Sequence, residues 1–306
     1  MTCQILPIAF DKGASKEGCA KAPEALLSGG LLQSLQAVGQ KFELLPFAQL
    51  RSYPRSNRPF NDQPRWHDVA NMTQTLSDQA LAIGAKGLPV FIGGDHSISA
   101  GTISGMARSA AQYGRPLFVL WLDAHPDFNT IHTTQSGNLH GVPLAYVSGQ
   151  TGFSPLFPPL GAAVDPERIC IMGVRSVDLQ EKALLEAANI ELHTMPDLNR
   201  RGVGPLLSPF LQQVVEANGF LHVSLDIDFI DPQLAGGVGT PVPDGATISQ
   251  AYEIIDMLAQ SRLLSSLDIV EYNPLLDHNQ QTLRCVIELT SRLIRAGIRQ
   301  YPRQAA

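Results

Sequence analysis

Apolar residues in this chain gather in short runs, too brief for most helices and rich in strand-forming side chains. Leu117-Phe-Val-Leu-Trp-Leu122 is the clearest of them. The pattern predicts strands at 3–10, 41–47, 88–93, 116–123, 168–173, 190–194, 219–227 and 264–270. Between them, helical patterns fall near 22–38, 66–86, 98–112, 179–188, 205–217, 248–260 and 279–297. Strands alternating with helices from end to end predict βαβ units and a mostly parallel sheet. Thr247 or Ser249 is placed to cap the 248–260 helix, and Gly297 to end the last one. Two stretches break the pattern. Residues 51–64 are polar and proline-rich, with three arginines that could greet an anion but suit a solvated loop better; 149–166 is rich in Gly, Pro and small residues. The alternation resumes unchanged after each, so residues 1–306 are expected to form a single domain.

The polar residues that matter sit where strands end. In an open parallel sheet, ligands bind beyond the carboxyl ends of the strands. Gly93-Gly-Asp-His-Ser97, Asp123-Ala-His-Pro-Asp127 and Asp226-Ile-Asp228 each close an apolar run. If the extended conformation continues past Leu122, Asp123, His125 and Asp127 share one face. With His96, Asp226 and Asp228, that makes six candidate metal ligands. Four carboxylates gathered in one place would repel and desolvate badly without cations. Oxygen-rich sites with some imidazole suit manganese, whereas calcium prefers oxygen alone and structural zinc prefers thiolates. Six ligands are too many for one ion that keeps an open position. They suit two ions that share carboxylates roughly 3.5–4 Å apart and make a water between them nucleophilic.

Composition narrows the choice. With 306 residues and 44% hydrophobic content, the chain can bury a large core. The net charge of −6, from 28 acids against 22 bases without a basic block, argues against nucleic acid or an anionic membrane as a partner. The start lacks a basic head followed by a long apolar segment, and no run approaches the roughly 20 apolar residues of a membrane span. Cys3, Cys19, Cys170 and Cys285 are scattered without a Cys-x-x-Cys pair, which suits reduced packing residues in a cytoplasmic protein. Trp66, Trp121 and His222 are expected to be core residues; His67, His132, His193 and His278 match no ligand position.

Taken together, Gly93–Ser97, Asp123–Asp127, Ser136-Gly-Asn-Leu-His-Gly141, Ser224-Leu-Asp-Ile-Asp-Phe-Ile-Asp-Pro232 and Glu271-Tyr-Asn-Pro274 resemble the ureohydrolase family, its arginase branch above all. The resemblance runs nearly the whole length, in order and at family spacing. It implies a three-layer α/β/α fold around an eight-stranded, mostly parallel sheet, and two Mn2+ per subunit. Carried over by motif, one ion takes His96, Asp123, Asp127 and Asp226, and the other His125, Asp123, Asp226 and Asp228, with Asp123 and Asp226 shared. It further implies hydrolysis of L-arginine to L-ornithine and urea by a metal-bridging hydroxide, in a cytoplasmic homotrimer or homohexamer.

Residue by residue, the resemblance makes Asp127 the group that directs the hydroxide. Glu271 binds the guanidinium, and His140 carries protons to and from solvent. Asn129, Ser136 and Asn138 match positions that bind the α-carboxylate. Asp178 matches the acid beside the α-ammonium, Glu181 lies one helical turn on, where it could help through water, and Thr240 matches a pocket threonine. Two departures stand out: Pro126 within the Asp123–Asp127 motif, and Ser176 where many arginases carry an acid. The second leaves room for a modified substrate such as N-hydroxy-arginine. Rival readings are a hydrolase of agmatine or guanidinobutyrate, a one-zinc deacylase of related fold, and a non-catalytic assembly protein. The tail 299–306 is a candidate contact arm between subunits.

Overall fold

Every apolar run becomes a strand of one parallel sheet. A computed structural model of the chain describes residues 2–50 and 64–295. The amino-terminal part carries β1 (Cys3–Pro7), α1 (Ala22–Ser28), α2 (Leu31–Ala37) and β2 (Phe42–Leu44). Next come α3 (Pro64–Gly84), β3 (Leu88–Ile92), α4 (Ser99–Gln112), β4 (Leu117–Leu122) and the short α5 (Pro143–Val147). They are followed by β5 (Ile169–Val174), α6 (Leu179–Ala188), β6 (Glu191–Thr194), α7 (Met195–Arg201) and α8 (Val203–Glu216). The described chain closes with β7 (Phe220–Asp226), α9 (Ile248–Ser261), β8 (Leu264–Val270) and α10 (Gln281–Arg295). The expectations for 51–63, for Gly297 and for the tail 299–306 lie outside the described residues.

The sheet has eight strands in the order β2-β1-β3-β8-β7-β4-β5-β6, and every pair is parallel. Alternation along the central strands splits their side chains between two cores, because successive residues face opposite sides. Phe118, Leu120 and Leu122 join Leu26, Leu35, Phe210, Ile254 and Leu289 on one face. Leu117, Val119 and Trp121 join Val69, Leu76, Ile103 and Leu144 on the other. Helices α1, α2 and α7 to α10 therefore cover one side and α3 to α6 the other, which makes three layers. Strands buried on both faces read as unbroken apolar runs, which is why they were legible.

Three features differ from expectation. The 22–38 helix breaks in two at Gly29-Gly30, where Gly30 takes φ +103°. Helix α7 was not anticipated: it is only seven residues long, yet Thr194 and Asp197 close a capping box and Pro196 suits its first turn. The 149–166 segment is irregular as expected, but Phe153 and Phe157 pack edge-on to each other and against Tyr146. Thr247 caps α9, with Gln250 completing a capping box. All four cysteines are free and buried. Among the described residues, no helix is long and apolar enough to cross a membrane.

Candidate metal centre and substrate cavity

The site forms where the chain changes direction across the sheet. From β3 it skips two places to β4, and β7 and β8 later fill the gap. These four neighbouring strands deliver the polar residues from their carboxyl ends. His96 lies in a single 3-10 turn after β3, Asp123 follows β4, Asp226 ends β7 with Asp228 in the next turn, and Glu271 follows β8. Gly94 is required for this arrangement. A Cβ there would stand 1.5 Å from the Phe10 carbonyl oxygen, where the chain after β1 crosses the end of β3.

Six ligands fall into two overlapping groups. His96 Nδ1 is 3.1 Å from Asp123 Oδ2, 3.1 Å from Asp127 Oδ2 and 3.0 Å from Asp226 Oδ2. His125 Nδ1 is 3.4 Å from Asp123 Oδ1 and 3.1 Å from Asp228 Oδ2. Asp123 belongs to both, one oxygen toward each. The route to this geometry is not the expected one. The strand stops at Leu122 and 123–127 bends, with Asp127 at φ +49°. A turn, rather than strand alternation, aims Asp127 at His96. Glu271 is also left-handed, at φ +63°. Such backbone costs about 1–3 kcal/mol per residue and persists where the surroundings enforce it.

The electrostatics of the cluster suit positive charge. Burial and the Asp123 charge push Asp127 up to about 6. Burial and neighbouring carboxylates also raise Asp226 and Asp228. Asp123 is held well below the usual range: burial opposes ionisation, but the two imidazoles outweigh it. Burial disfavours the imidazolium forms of His96 and His125, yet the surrounding carboxylates override it, raising His96 well above its usual value and His125 to about 12. Protons here occupy the place of positive charge. His96 Nδ1 is buried among three carboxylate oxygens and makes no well-aligned hydrogen bond with any of them. Such convergence of lone pairs fits divalent cations. Cys170, Glu191 and His193 also lie close together across β5 and β6, but His193 Nε2 is already paired with Glu191 Oε1 at 3.0 Å. That group is a hydrogen-bonded pair at the sheet edge beside a core thiol.

Sequence reasoning overlooked the supports behind these ligands. Trp121, expected only to pack, donates Nε1–H to Asp123 Oδ2 at 2.8 Å and stacks on His96 with ring centroids 3.9 Å apart. Ser224 Oγ lies 2.8 Å from His96 Nε2. Both precede a ligand by two positions in a strand, so the period-2 rule could have found them. Asp95 accepts from the backbone N–H groups of Gly13 and Ala14 and from Ser97, tying the loop after β1 to the site. His222 is fully buried and bonded to Ser266 Oγ at 2.7 Å, as a core residue should be.

Above the ligands opens a cavity lined by His125, Asp127 and Asp226 at its floor and by Asn129, Ser136, Asn138, Asp178, Glu181 and Thr240 around it. His140 and Ser176 also line it. Glu271 does not reach the wall. It is 1% exposed, and its Oε1 accepts from the His96 N–H at 2.7 Å and pairs with His140 Nδ1 at 2.9 Å. Its Oε2 meets only the weak thiol donor of Cys19, at 3.7 Å. Burial opposes charge on both partners. The pair overcomes it, keeping Glu271 below the usual carboxyl range and lifting His140 to about 9. Thr240 Oγ1 donates to Asp228 Oδ2 at 3.1 Å, so it braces a ligand as well as lining the cavity. Asn129 Nδ2 donates to Asp178 Oδ2 at 3.3 Å. Glu181 is tied to the backbone instead of reaching out: its carboxylate accepts from Phe128 N at 2.7 Å and Asp178 N at 3.3 Å. Burial raises it to about 8.

Arg175 organises the rim from below. Its guanidinium donates to the carbonyls of Gly173, Asp228, Phe229, Val242 and Pro243, joining the end of β5 to the loop that carries Thr240. Arg175→Ala is expected to lower the unfolding free energy by about 2–3 kcal/mol, because several charge-assisted bonds vanish and buried carbonyls are orphaned. Urea denaturation checks this; a change under about 0.5 kcal/mol would contradict it.

A parallel sheet between two helical layers, with carboxylate–imidazole groups clustered at its strand ends, defines an α/β fold that carries a candidate two-metal centre. A profile of the Arginase family matches residues 1–295. The chain is 45% identical to an arginase of Agrobacterium fabrum over 293 residues, 95% of this chain and 90% of that one. It is 41% identical to an arginase of Brucella melitensis over 306 residues, 99% of each. The crystal structure of an arginase from Bacillus subtilis superposes with a TM-score of 0.84 at 31% identity, covering 96% of this chain and 98% of that one. The chain belongs to the arginase family, and it is accordingly an enzyme, a hydrolase of guanidino compounds.

Proposed function

We propose that this protein hydrolyses the guanidinium of L-arginine to L-ornithine and urea, with two Mn2+ held by His96, Asp123, Asp127 and Asp226 and by His125, Asp123, Asp226 and Asp228. The observation that carries the choice of substrate is the rim. Asn129, Ser136 and Asn138 bring neutral hydrogen-bonding groups to the cavity and Asp178 an acid, which is hydrogen-bonded to Asn129. That combination suits a zwitterionic amino-acid head, whose carboxylate takes the neutral donors and whose ammonium takes the acid. When bound, the ions supply Lewis acidity that makes a water nucleophilic near neutral pH.

The chain's own groups do the rest. Asp127, fixed by its left-handed backbone, offers a carboxylate oxygen that aligns the attacking water. Glu271 supplies the counter-charge for the guanidinium through Oε2, while Oε1 stays paired with His140. His140 holds a proton at neutral pH because Glu271 stabilises its imidazolium, and it passes that proton to the departing amine. Ser176 softens the ammonium end and makes N-hydroxy-arginine the second substrate to try.

A urea-release screen across L-arginine, N-hydroxy-arginine, agmatine and guanidinobutyrate, run with each divalent metal, tests the reading. Fastest turnover is expected with arginine and manganese. Faster release from agmatine or guanidinobutyrate would reassign the substrate, and full activity with one zinc per chain would reassign the chemistry. Assembly as a homotrimer or homohexamer goes with this reading and is measured by sedimentation.

Manganese affinity is expected to rise with pH. The protons on His96 and His125, held well above the ordinary imidazole value, must leave before Nδ1 can bind an ion. Calorimetric titration in buffers of different ionisation enthalpy should register proton release on binding. A release of zero at neutral pH would contradict the assignment.

A further inference from the structure

Behind the candidate metal centre, a file of buried polar groups leads from His96 to a carboxylate. His96 turns Nδ1 to the carboxylates, and its Nε2 lies 2.8 Å from Ser224 Oγ. Ser224 Oγ is 3.4 Å from Ser99 Oγ. Ser99 Oγ donates to Asp268 Oδ2 at 2.7 Å, and Thr102 Oγ1 donates to the same oxygen at 2.8 Å. His96 is 1% exposed; Ser99, Thr102, Ser224 and Asp268 are fully buried. Asp268 lies in β8 opposite Phe91 of β3, so the carboxylate sits in the strand next to the one that launches His96. On the far side of Asp268, His222 Nε2 packs 3.2 Å from the same Oδ2.

A carboxylate accepts hydrogen bonds and cannot donate them. Asp268 therefore claims the hydroxyl protons of both Ser99 and Thr102. Ser99 is left with lone pairs alone, so Ser224 is the only one of the two that can donate across the 3.4 Å between them. Ser224 in turn has only lone pairs for His96, and His96 can meet them only with a proton on Nε2.

We infer that Asp268, acting through Ser99 and Ser224, is a positioning residue that keeps the His96 proton on Nε2 and leaves the Nδ1 lone pair free for a cation. This rests on the two-cation reading above. Partners that orient a ligating imidazole are worth about 10–100-fold in metal affinity. Asp268 touches neither cation nor substrate; its effect passes along the hydroxyl chain. Thr102 provides the contrast, because it bonds the same carboxylate from outside that chain.

The test is a manganese titration of metal-free protein followed by electron paramagnetic resonance, on the wild type and on Asp268→Asn, Ser99→Ala and Thr102→Val. Asp268→Asn and Ser99→Ala should weaken one ion by about 10–100-fold while the other stays within about threefold of wild type. Thr102→Val should leave both ions within about threefold. If Asp268→Asn does not fold, Ser99→Ala decides alone. Wild-type affinity for both ions in Ser99→Ala would overturn the inference. So would a Thr102→Val loss as large as that of Ser99→Ala. A wild type that binds fewer than two ions would remove the two-cation reading, and this inference with it.

Discussion

Replacing Asp123 by alanine is expected to leave the protein with less than about one manganese per chain and to lower kcat/KM at least about a thousandfold. Asp123 is the residue with an oxygen on each side of the site, Oδ2 toward His96 and Oδ1 toward His125. Its loss takes a ligand from both groups, whereas losing His125 would strip one. Lewis-acid stabilisation amounts to several kcal/mol, and each 1.36 kcal/mol or so is tenfold in rate. Two opposing effects set the fold's response. The Trp121 N–H and the His125 backbone N–H lose their acceptor, at about 1–3 kcal/mol for an orphaned buried group. Against this, removing one of four crowded carboxylates relieves repulsion in the metal-free protein. Melting temperature should therefore move little while metal content collapses. Metal analysis and urea release measured together check this; two tightly bound ions in the variant would refute the shared ligand.

Glu271→Gln is the other large effect, and it separates binding of the guanidinium from binding of metal. The substitution keeps the shape and one acceptor, so metal content should stay at the wild-type level. The substrate cation loses its counter-charge in a buried place, where breaking such a pair costs about 3–5 kcal/mol, or roughly 10²–10⁴-fold in kcat/KM. A second consequence follows from the pairing with His140. Glu271 is the largest influence lifting that imidazole to about 9. Without it, only Asp127 and Asp95 remain to oppose burial, and the His140 pKa falls. Because the protonated form is the proton donor, the activity that remains should disappear at lower pH than in the wild type. Urea release across a pH series reads both effects; kcat/KM within tenfold of wild type would rule out Glu271 as the guanidinium partner.

The strands were legible because a sheet covered on both faces leaves an unbroken apolar run, and the run at Leu117–Leu122 appears in the structure with those bounds. That the six candidate ligands gather was legible because each stands within a few residues of the end of such a run. What the linear pattern concealed depends on backbone turns and on distant partners. The convergence of Asp123 and Asp127 on His96 was foreseen, but the bend that produces it was not, since alternation gave the same answer for a different reason. Glu181 looked like a cavity acid, yet its oxygens serve the Phe128 and Asp178 N–H groups. The Asp178 bond closes a capping box that the spacing Asp178-x-x-Glu181 announces, but nothing local marks the bond from Phe128, which lies in another segment. Arg175 carries no signal in the linear pattern. Its carbonyl partners lie as far away as Pro243, beyond the reach of any periodicity. Gly29-Gly30 did carry a signal, a helix breaker inside an apolar pattern that was read as one helix.

The left-handed backbone at Asp127 and Glu271 has a consequence for anyone seeking a hardier enzyme. Glycine at either position would relax the main chain and could raise the melting temperature, so a screen scored on heat resistance alone would favour it. The same exchange deletes a carboxylate that faces His96 or pairs with His140. Thermal robustness and turnover are thus set against each other at two identifiable peptide units, and stabilising changes belong in the helical layers, away from the strand tips.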